Sequence, residues 1–277
     1  MIPRIILDGI IERALSEDIG RGDITTSAIV REEREGSGVF LAKESFVLAG
    51  LFVARRVFEI LDPKASFLAN RGEGDEVEEG EVIAEVTGSV SSLLSGERVA
   101  LNFLQRMSGI ATLTRKVVEL TNGYPVLILD TRKTTPGLRI LEKYAVRVGG
   151  GRNHRFGLDD GVLIKDNHIK IAGGIREAIS RIKQCLPHTL KIEVEVSTIA
   201  ELREAIEAGA DIVMLDNMSK EEIVEAVKIA EGRVKLEVSG GVNLDNVREY
   251  VSLGIDYISL GMLTHSFKSV DISFLIR

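Results

Sequence analysis

A dense group of cationic side chains lies in one short stretch of this chain. Its members are Arg132, Lys133, Arg139, Arg152, His154, Arg155 and Lys165. The chain as a whole is acidic, with a formal net charge of −7 over 277 residues. Guanidinium groups bind carboxylate and phosphate in a bidentate manner, and a lysine ammonium acts as a compact point charge. The stretch therefore predicts a site for a ligand with several anionic groups, in preference to a solvated basic surface.

Other residues of suitable chemistry come later in the chain. Glu195 and Asp216 could hold Mg²⁺ through water, or the hydroxyls of a ribose, since Mg²⁺ usually takes one or two carboxylates together with substrate phosphates. The sequence Ser239-Gly240-Gly241 is a candidate phosphate cradle, and Gly261 is placed to complete it. A zinc site is not indicated, because the histidines lack ligand spacing and the single cysteine, Cys185, forms no cluster.

These residues follow a repeated alternation of apolar runs and amphipathic segments. The β-type runs are 125–133, 161–168, 191–196, 211–217, 234–241 and 257–262, and helical patterns cover 175–186, 198–209, 219–232 and 244–254. Such repetition predicts a parallel sheet with covered faces, and its extent favours a TIM-type barrel over an open doubly wound sheet. Barrel strands end at one rim, so we expect the cations, carboxylates and glycines to meet there.

The chain up to about residue 105 is predicted to be a separate α/β unit. An amphipathic helix over residues 1–20 precedes short β-type runs at 38–44, 46–54, 65–70 and 81–86. Residues 74–88 resemble the hairpin of biotinyl or lipoyl carrier domains, but no lysine lies between 65 and 115, which disfavours a carrier role. A helical pattern covers 96–121. Gly109 interrupts it and is a candidate hinge between the units.

The bulk composition excludes several classes of protein. The negative net charge argues against nucleic acid as a partner. Apolar stretches are too short to span a bilayer, and the N-terminus does not have the pattern of a signal peptide. A lone cysteine fits a reducing compartment. We therefore expect a cytoplasmic protein with neither a nucleic-acid nor a membrane partner.

The run DTRKTTPGLRILEKYAVRVGGGRNHRFGLDDGVLIKDNHI (130–169) resembles the quinolinate phosphoribosyltransferases, also called carboxylating nicotinate-nucleotide pyrophosphorylases. Agreement extends to EDIGRGDITT (17–26), GERVALNFLQRMSGIAT (96–112), EVEV (193–196), VMLDN (213–217), EVSGGV (237–242) and SLGMLTHS (259–266). The matches cover nearly the whole chain in the expected order.

The resemblance implies a fold, a reaction and an assembly. The fold is α/β, with an N-terminal α/β sandwich (1–107), an incomplete TIM-like α/β barrel (108–265) and a tail (266–277) that packs back on the sandwich. The reaction joins quinolinate to 5-phosphoribosyl-1-pyrophosphate with Mg²⁺, giving nicotinate mononucleotide, pyrophosphate and CO₂. The assembly is a homodimer with shared active sites, or a hexamer built from such dimers.

The resemblance also assigns roles to residues. It places Arg132, His154, Arg155 and Lys165 on quinolinate, together with Arg98 from the partner chain. Lys133, Glu195 and Asp216 would meet the phosphoribosyl donor or its Mg²⁺. The 5′-phosphate would bind Ser239, Gly240, Gly241 and Gly261. Lys133, Lys165, Glu195 and Asp216 are the implied catalytic residues.

Three alternatives stay open at this point. One is a related phosphoribosyltransferase-like protein associated with molybdate transport. Another is nicotinate phosphoribosyltransferase, a related barrel enzyme that uses ATP and whose substrate carries a single carboxylate. The third is a non-catalytic anion-binding barrel, which would tolerate loss of Lys133, Glu195 or Asp216. The dense cationic set favours the dicarboxylate substrate.

Overall fold

The computed structural model describes residues 2–30, 32 and 34–277. The helices in this part of the chain are α1 (Arg4–Ile19), α2 (Ile24–Ile29), α3 (Leu51–Leu61), α4 (Val90–Leu120), α5 (Arg139–Val148), α6 (Asp166–Ala172), α7 (Ile175–Cys185), α8 (Ile199–Ala208), α9 (Lys220–Ala230), α10 (Val247–Val251) and α11 (Met262–His265). The strands are β1 (Glu35–Ala42), β2 (Phe46–Val47), β3 (Ser66–Ala69), β4 (Glu76–Val77), β5 (Val82–Ser89), β6 (Leu127–Leu129), β7 (Val162–Ile164), β8 (Ile192–Val196), β9 (Ile212–Asp216), β10 (Lys235–Ser239), β11 (Tyr257–Ser259) and β12 (Ile272–Ile276).

These elements divide into two compact units. The first unit contains the described residues up to Arg115, with Thr135–Gly150 and Ser266–Arg277. The second unit contains Lys116–Thr134 and Gly151–His265. By this division α5 groups with the first unit, and position 107 falls inside helix α4. The domain ranges 1–107, 108–265 and 266–277 stay a prediction.

The first unit is built on an antiparallel sheet with the strand order β12-β1-β5-β3. Phe40 of β1 is directly opposite Phe274 of β12, and their ring centroids are 4.8 Å apart. Phe58 of α3 stacks on Phe274 at 5.7 Å. All three rings are buried, and each removes a large apolar area from water. This aromatic core attaches the last strand of the chain to the first unit.

Two local expectations for the first unit are wrong. Residues 51–54 belong to α3 and not to a β-type run, because Gly50 turns the chain at φ +104° and apolar side chains then recur at helical spacing. Gly109 does not interrupt α4, which runs unbroken from Val90 to Leu120. A Cβ at Gly109 would lie 2.3 Å from the carbonyl oxygen of Lys268, so the glycine permits a close approach of the backbone.

The described part of the second unit contains a six-stranded parallel sheet with the order β6-β11-β10-β9-β8-β7. The extended chain at Arg152 forms one parallel bridge with Leu129 beside the edge strand β6. The central strands of the sheet, β8 to β10, are buried along most of their length, as expected when helices cover a parallel sheet. The predicted α/β class with an incomplete barrel is confirmed.

Helix signals in the second unit are local and strong. Thr198 and Ser219 each begin a helix with a reciprocal capping box, formed with Glu201 and Glu222 respectively. Gly209 ends α8 in the left-handed conformation. These signals explain why the periodic segments 198–209 and 219–232 fold close to where the sequence predicts. No helix in the described part of the chain is both long enough and apolar enough to cross a membrane.

Candidate active site

A cavity of about 570 Å³ lies at the carboxyl ends of the strands in the second unit. Its wall contains eleven of the twelve site residues expected from the sequence: Arg132, Lys133, His154, Arg155, Lys165, Glu195, Asp216, Ser239, Gly240, Gly241 and Gly261. The twelfth, Arg98, is exposed on α4 in the first unit. Residues spread over 130 positions of sequence thus meet in one place, as the common rim of parallel strands requires.

Strand alternation sets the depth of the acidic residues. Glu193 and Glu195 lie on the same face of β8, two residues apart. Glu193 is 5% exposed inside the sheet, whereas Glu195 is nearer the strand end and half-buried. Lys165, just after β7, donates a hydrogen bond from Nζ to Oε2 of Glu195. This pair puts a positive and a negative group side by side at the mouth of the cavity.

Arg155 and Arg132 bring like charges together. The Arg155 guanidinium is half-buried and donates to the carbonyl oxygen of Gly161 at 3.0 Å. Burial and then the positive charge of Arg132 lower the pKa of Arg155, while the carboxylates of Glu193 and Asp160 oppose this shift. Two neighbouring guanidinium groups repel each other until an anion binds between them. The arrangement therefore suits a ligand with carboxylate or phosphate groups.

His154 uses both ring nitrogens within the protein. Nδ1 accepts a hydrogen bond from the backbone N–H of Arg155 at 2.7 Å, and Nε2 lies 3.0 Å from Oε2 of Glu193. The backbone N–H of His154 donates to Asp130, which is fully buried at the end of β6. An acceptor Nδ1 leaves the ring proton on Nε2, which identifies the neutral Nε2–H tautomer.

Glycines form part of the cavity wall. Gly240 and Gly241 have φ values of +89° and +67°, a region that side chains rarely adopt. A Cβ at Gly240 would lie 2.8 Å from Oδ1 of Asn217. A Cβ at Gly261 would lie 2.9 Å from the Lys133 side chain. Exposed backbone amides at the start of a turn after a strand can cradle a phosphate.

Two groups of side chains have donors suited to a metal ion. Glu195 and Asp216 offer hard oxygen ligands on the cavity wall, which fits Mg²⁺. His154, Glu193 and Glu237 also bring ligand atoms within 4.8 Å of one another. In this second group, however, the proton on Nε2 of His154 points at Glu193, so that nitrogen has no free lone pair for a metal. The second group is a hydrogen-bond network.

Several cavity-wall and supporting residues were not singled out from the sequence. They are Glu237, Ser259 and His265. Alternation gives the signal for Glu237, which lies two residues before Ser239 as Glu193 lies two before Glu195. The contact of Ser259 with Glu237 joins neighbouring strands, and a single sequence contains no comparable local signal for it.

Comparisons with known proteins agree over the whole chain. The family description for the quinolinate phosphoribosyl transferase N-terminal domain matches residues 23–108, and that for the C-terminal domain matches residues 110–275.

Individual relatives agree with these matches. A Bacillus subtilis protein named "probable nicotinate-nucleotide pyrophosphorylase [carboxylating]" is 48% identical, covering 93% of this chain and 89% of its own. "Quinolinate phosphoribosyltransferase [decarboxylating] 1b" of Nicotiana tabacum is 42% identical, covering 99% and 83%. The solved structure of the nicotinate-nucleotide pyrophosphorylase from Francisella tularensis superposes with a TM-score of 0.95 at 42% identity, covering 100% and 98%. The chain belongs to the quinolinate phosphoribosyltransferase family.

Proposed function

We propose that this chain transfers the phosphoribosyl group of 5-phosphoribosyl-1-pyrophosphate to quinolinate with decarboxylation. The products are nicotinate mononucleotide, pyrophosphate and CO₂. One observation carries the proposal beyond family membership. The anion-binding guanidinium groups, the paired Lys165 and Glu195, and the glycine turn at 239–241 line one cavity. Such a cavity suits a donor with phosphates at one end and an acceptor with carboxylates at the other.

The carboxylates of quinolinate are assigned to Arg132 and Arg155. Their like charges favour an anion with two separated negative groups, and a guanidinium holds a carboxylate in a fixed orientation. Lys165 adds a third positive group on the same wall. Binding in this way holds the pyridine nitrogen toward the donor, so that positioning supplies a large part of the rate.

The phosphoribosyl donor is assigned to the glycine side of the cavity. Ser239, Gly240, Gly241 and Gly261 would receive the 5′-phosphate through backbone amides and the Ser239 hydroxyl. Glu195 and Asp216 would hold the ribose hydroxyls or, directly or through water, Mg²⁺. Mg²⁺ would neutralise charge on the departing pyrophosphate. Lys133, whose backbone oxygen accepts a hydrogen bond from Thr264 at 2.8 Å, supplies further positive charge on that side.

The chemistry then needs no covalent intermediate with the protein. The pyridine nitrogen forms its bond to C1′ as the bond from C1′ to pyrophosphate breaks, and the lysines stabilise the leaving charge. The ring nitrogen is now positively charged. The adjacent carboxylate leaves as CO₂, its bonding electrons remain on C2 beside that charge, and C2 takes a proton from solvent. The chain's own residues orient the reactants and supply the electrostatic field.

The proposal also covers the cellular location and the assembly of the enzyme. We place it in the cytoplasm, as a homodimer in which Arg98 of one subunit completes the quinolinate site of its partner, with assembly of dimers into a hexamer as a further level. The exposure of Arg98 on α4 supports this assignment, since an exposed guanidinium is available to a second chain.

Steady-state assays with two acceptors test the proposal. The purified protein is supplied with 5-phosphoribosyl-1-pyrophosphate, Mg²⁺ and either quinolinate or nicotinate, and nicotinate mononucleotide is quantified. We expect product with quinolinate as the acceptor and none with nicotinate, in the absence of ATP. Product from nicotinate with ATP would favour the nicotinate enzyme. Tight quinolinate binding without product would indicate a non-catalytic anion-binding barrel, and neither binding nor product would favour the molybdate-associated relative.

A further inference from the structure

A line of buried polar groups runs through the interior of the second unit, beneath the cavity. Ser259 donates to Oε1 of Glu237 at 2.5 Å, and the carboxyl groups of Glu237 and Glu193 lie close together near the His154 ring. Glu193, Glu237 and Ser259 are 5%, 1% and 4% exposed. We call Ser259, Glu237, Glu193 and His154 the interior network. Neither Glu193 nor Glu237 is assigned a contact with 5-phosphoribosyl-1-pyrophosphate or with quinolinate.

Buried carboxylates are unfavourable unless they are paired or hydrogen-bonded. Within the described part of the chain, buried Oε1 of Glu193 has no hydrogen-bond partner except the neighbouring carboxyl group of Glu237 when that group is protonated. Apolar residues in such a place often give a more stable protein. The presence of two glutamates inside the barrel therefore points to a role beyond stability.

The contacts of His154 indicate that role. Oε2 of Glu193 accepts the Nε2 proton of His154, which leaves Nδ1 free to accept the backbone N–H of Arg155. A protonated imidazole, or the opposite tautomer, would present an N–H to that backbone N–H and break the contact. The carboxylate of Glu193 therefore selects the one form of His154 that can hold the Arg155 backbone.

The backbone of this segment is held on both sides. The backbone N–H of His154 donates to Oδ1 of Asp130 at 2.9 Å, and Nδ2 of Asn153 donates to Oδ2 at 2.5 Å. The next residue along, Arg155, is held by the His154 ring and by the carbonyl oxygen of Gly161. Asp130 thus fixes the position of Asn153 and of the His154 backbone. The His154 ring fixes the direction in which the backbone continues into Arg155.

We propose that Glu193 is a positioning residue for dicarboxylate recognition: it fixes His154 as the neutral Nε2–H tautomer, and His154 in turn orients the Arg155 guanidinium toward quinolinate. This inference rests on the proposed function, because quinolinate is the ligand assigned to Arg155. Glu237 lies next to Glu193, and Ser259 donates a hydrogen bond to Glu237, so these two residues hold Glu193 in place. Loss of Glu193 should weaken quinolinate binding selectively, since the glycine side of the cavity is made by other residues.

A set of five variants, with His154→Ala as the reference for the double variant, tests the proposal by calorimetric titration with quinolinate and, separately, with 5-phosphoribosyl-1-pyrophosphate. Glu193→Ala is expected to weaken quinolinate binding about tenfold, a loss of about 1.4 kcal/mol, with donor binding unchanged. Glu193→Gln, whose amide oxygen still accepts the Nε2 proton, should retain most of the affinity. Glu193→Ala in a His154→Ala background should cause no further loss, because Glu193 acts through His154. Val194→Ala, buried on the opposite face of β8, is the control for loosened packing and should bind both ligands normally.

Nitrogen NMR gives a readout that a merely structural role would not move. The chain has four histidines, and the His154→Ala spectrum identifies the His154 signals. Wild type and Glu193→Gln should show the Nε2–H tautomer at neutral pH, and Glu193→Ala should show a mixture of forms.

The outcomes separate this inference from the proposed function. Failure of wild type to bind quinolinate would overturn both. Normal quinolinate binding by wild type and by Glu193→Ala alike would overturn the inference alone. So would additive losses in the double variant, or an Nδ1–H or doubly protonated His154 in wild type.

Discussion

Arg132 and Arg155 illustrate how a binding residue can oppose the stability of the empty protein. Burial and the nearby charge of Arg132 both disfavour the positive charge of Arg155 and lower its pKa. The pair becomes favourable when a dianion lies against it. Stability and binding should therefore respond to substitution in opposite directions at this site.

Replacement of Arg132 by alanine tests this opposition. We expect quinolinate to bind at least about tenfold more weakly, as for other lost charge-assisted contacts. The melting temperature should stay the same or rise, because a repulsion is removed. Calorimetric titration and thermal denaturation measure the two effects. Arg203→Ala, at an exposed position of α8, is the matched control and should change neither; a large fall in stability for Arg132→Ala would contradict the argument.

Glu237 gives the protein a pH-dependent stability. Burial, followed by the charge of Glu193, raises the pKa of Glu237 to about 7, from 4.5 for an ordinary glutamate. The folded protein then binds more protons than the unfolded chain between pH 4.5 and 7. Its free energy of unfolding therefore falls as pH rises through this window, by up to about 1.4 kcal/mol per pH unit.

Denaturant titrations between pH 5 and 8 check this slope. Glu237→Gln keeps the shape of the side chain but cannot ionise, so its stability should decline less across the same window. An equal decline in the variant and in wild type would show that other groups cause the pH dependence.

Sequence alone identified the chemistry of individual residues more easily than their contacts. Cations, carboxylates and a glycine turn are visible as residue types at strand ends, and eleven of them line one cavity. The tautomer of His154 was not predictable from the sequence. It depends on a contact with Glu193, which lies on a distant strand and is buried inside the sheet. The expectation that His154 itself contacts quinolinate stays a prediction, and the contacts of its ring favour an indirect role.

Elements with local signals were predicted well. The capped helices α8 and α9 and the apolar strands β8 to β10 lie close to their predicted ranges, since capping and periodicity act over a few residues. The placement of α5 in the first unit depends on contacts with distant residues, such as that of Tyr144 with Phe52, and the pairing of β12 with β1 joins residues more than two hundred positions apart. Such long-range pairing has no local pattern from which to infer it.

The turn after β10 is an element with a functional conformation. Gly240→Ala is expected to lose at least about 1 kcal/mol of stability from its positive φ and to weaken binding of 5-phosphoribosyl-1-pyrophosphate about tenfold, because the added Cβ would press on Asn217. Gly232→Ala is the matched control, since Gly232 also has a positive φ, +74°, but no atom within 4 Å of the added Cβ. Equal donor binding by the two variants would show that the turn does not receive the donor.

At the scale of the whole molecule, the proposed site needs two chains. Arg98→Ala and Lys165→Ala should each be nearly inactive, the first for want of a partner's guanidinium and the second for want of its own lysine. Subunits mixed in equal amounts and reassociated should recover about a quarter of wild-type activity, because half of the random dimers contain one intact site of two. Activity that stays at the level of the separate variants would show that Arg98 does not act across an interface.

In the proposed reaction, one cavity couples phosphoribosyl transfer to loss of the carboxylate beside the ring nitrogen. A single-turnover reaction uses quinolinate labelled at the C2 carboxylate and is followed for released CO₂ and for nicotinate mononucleotide. We predict equal amounts of the two products, with no CO₂ when 5-phosphoribosyl-1-pyrophosphate is omitted. Release of CO₂ without the donor, or formation of a nucleotide that keeps the label, would show that the two steps are not coupled in this way.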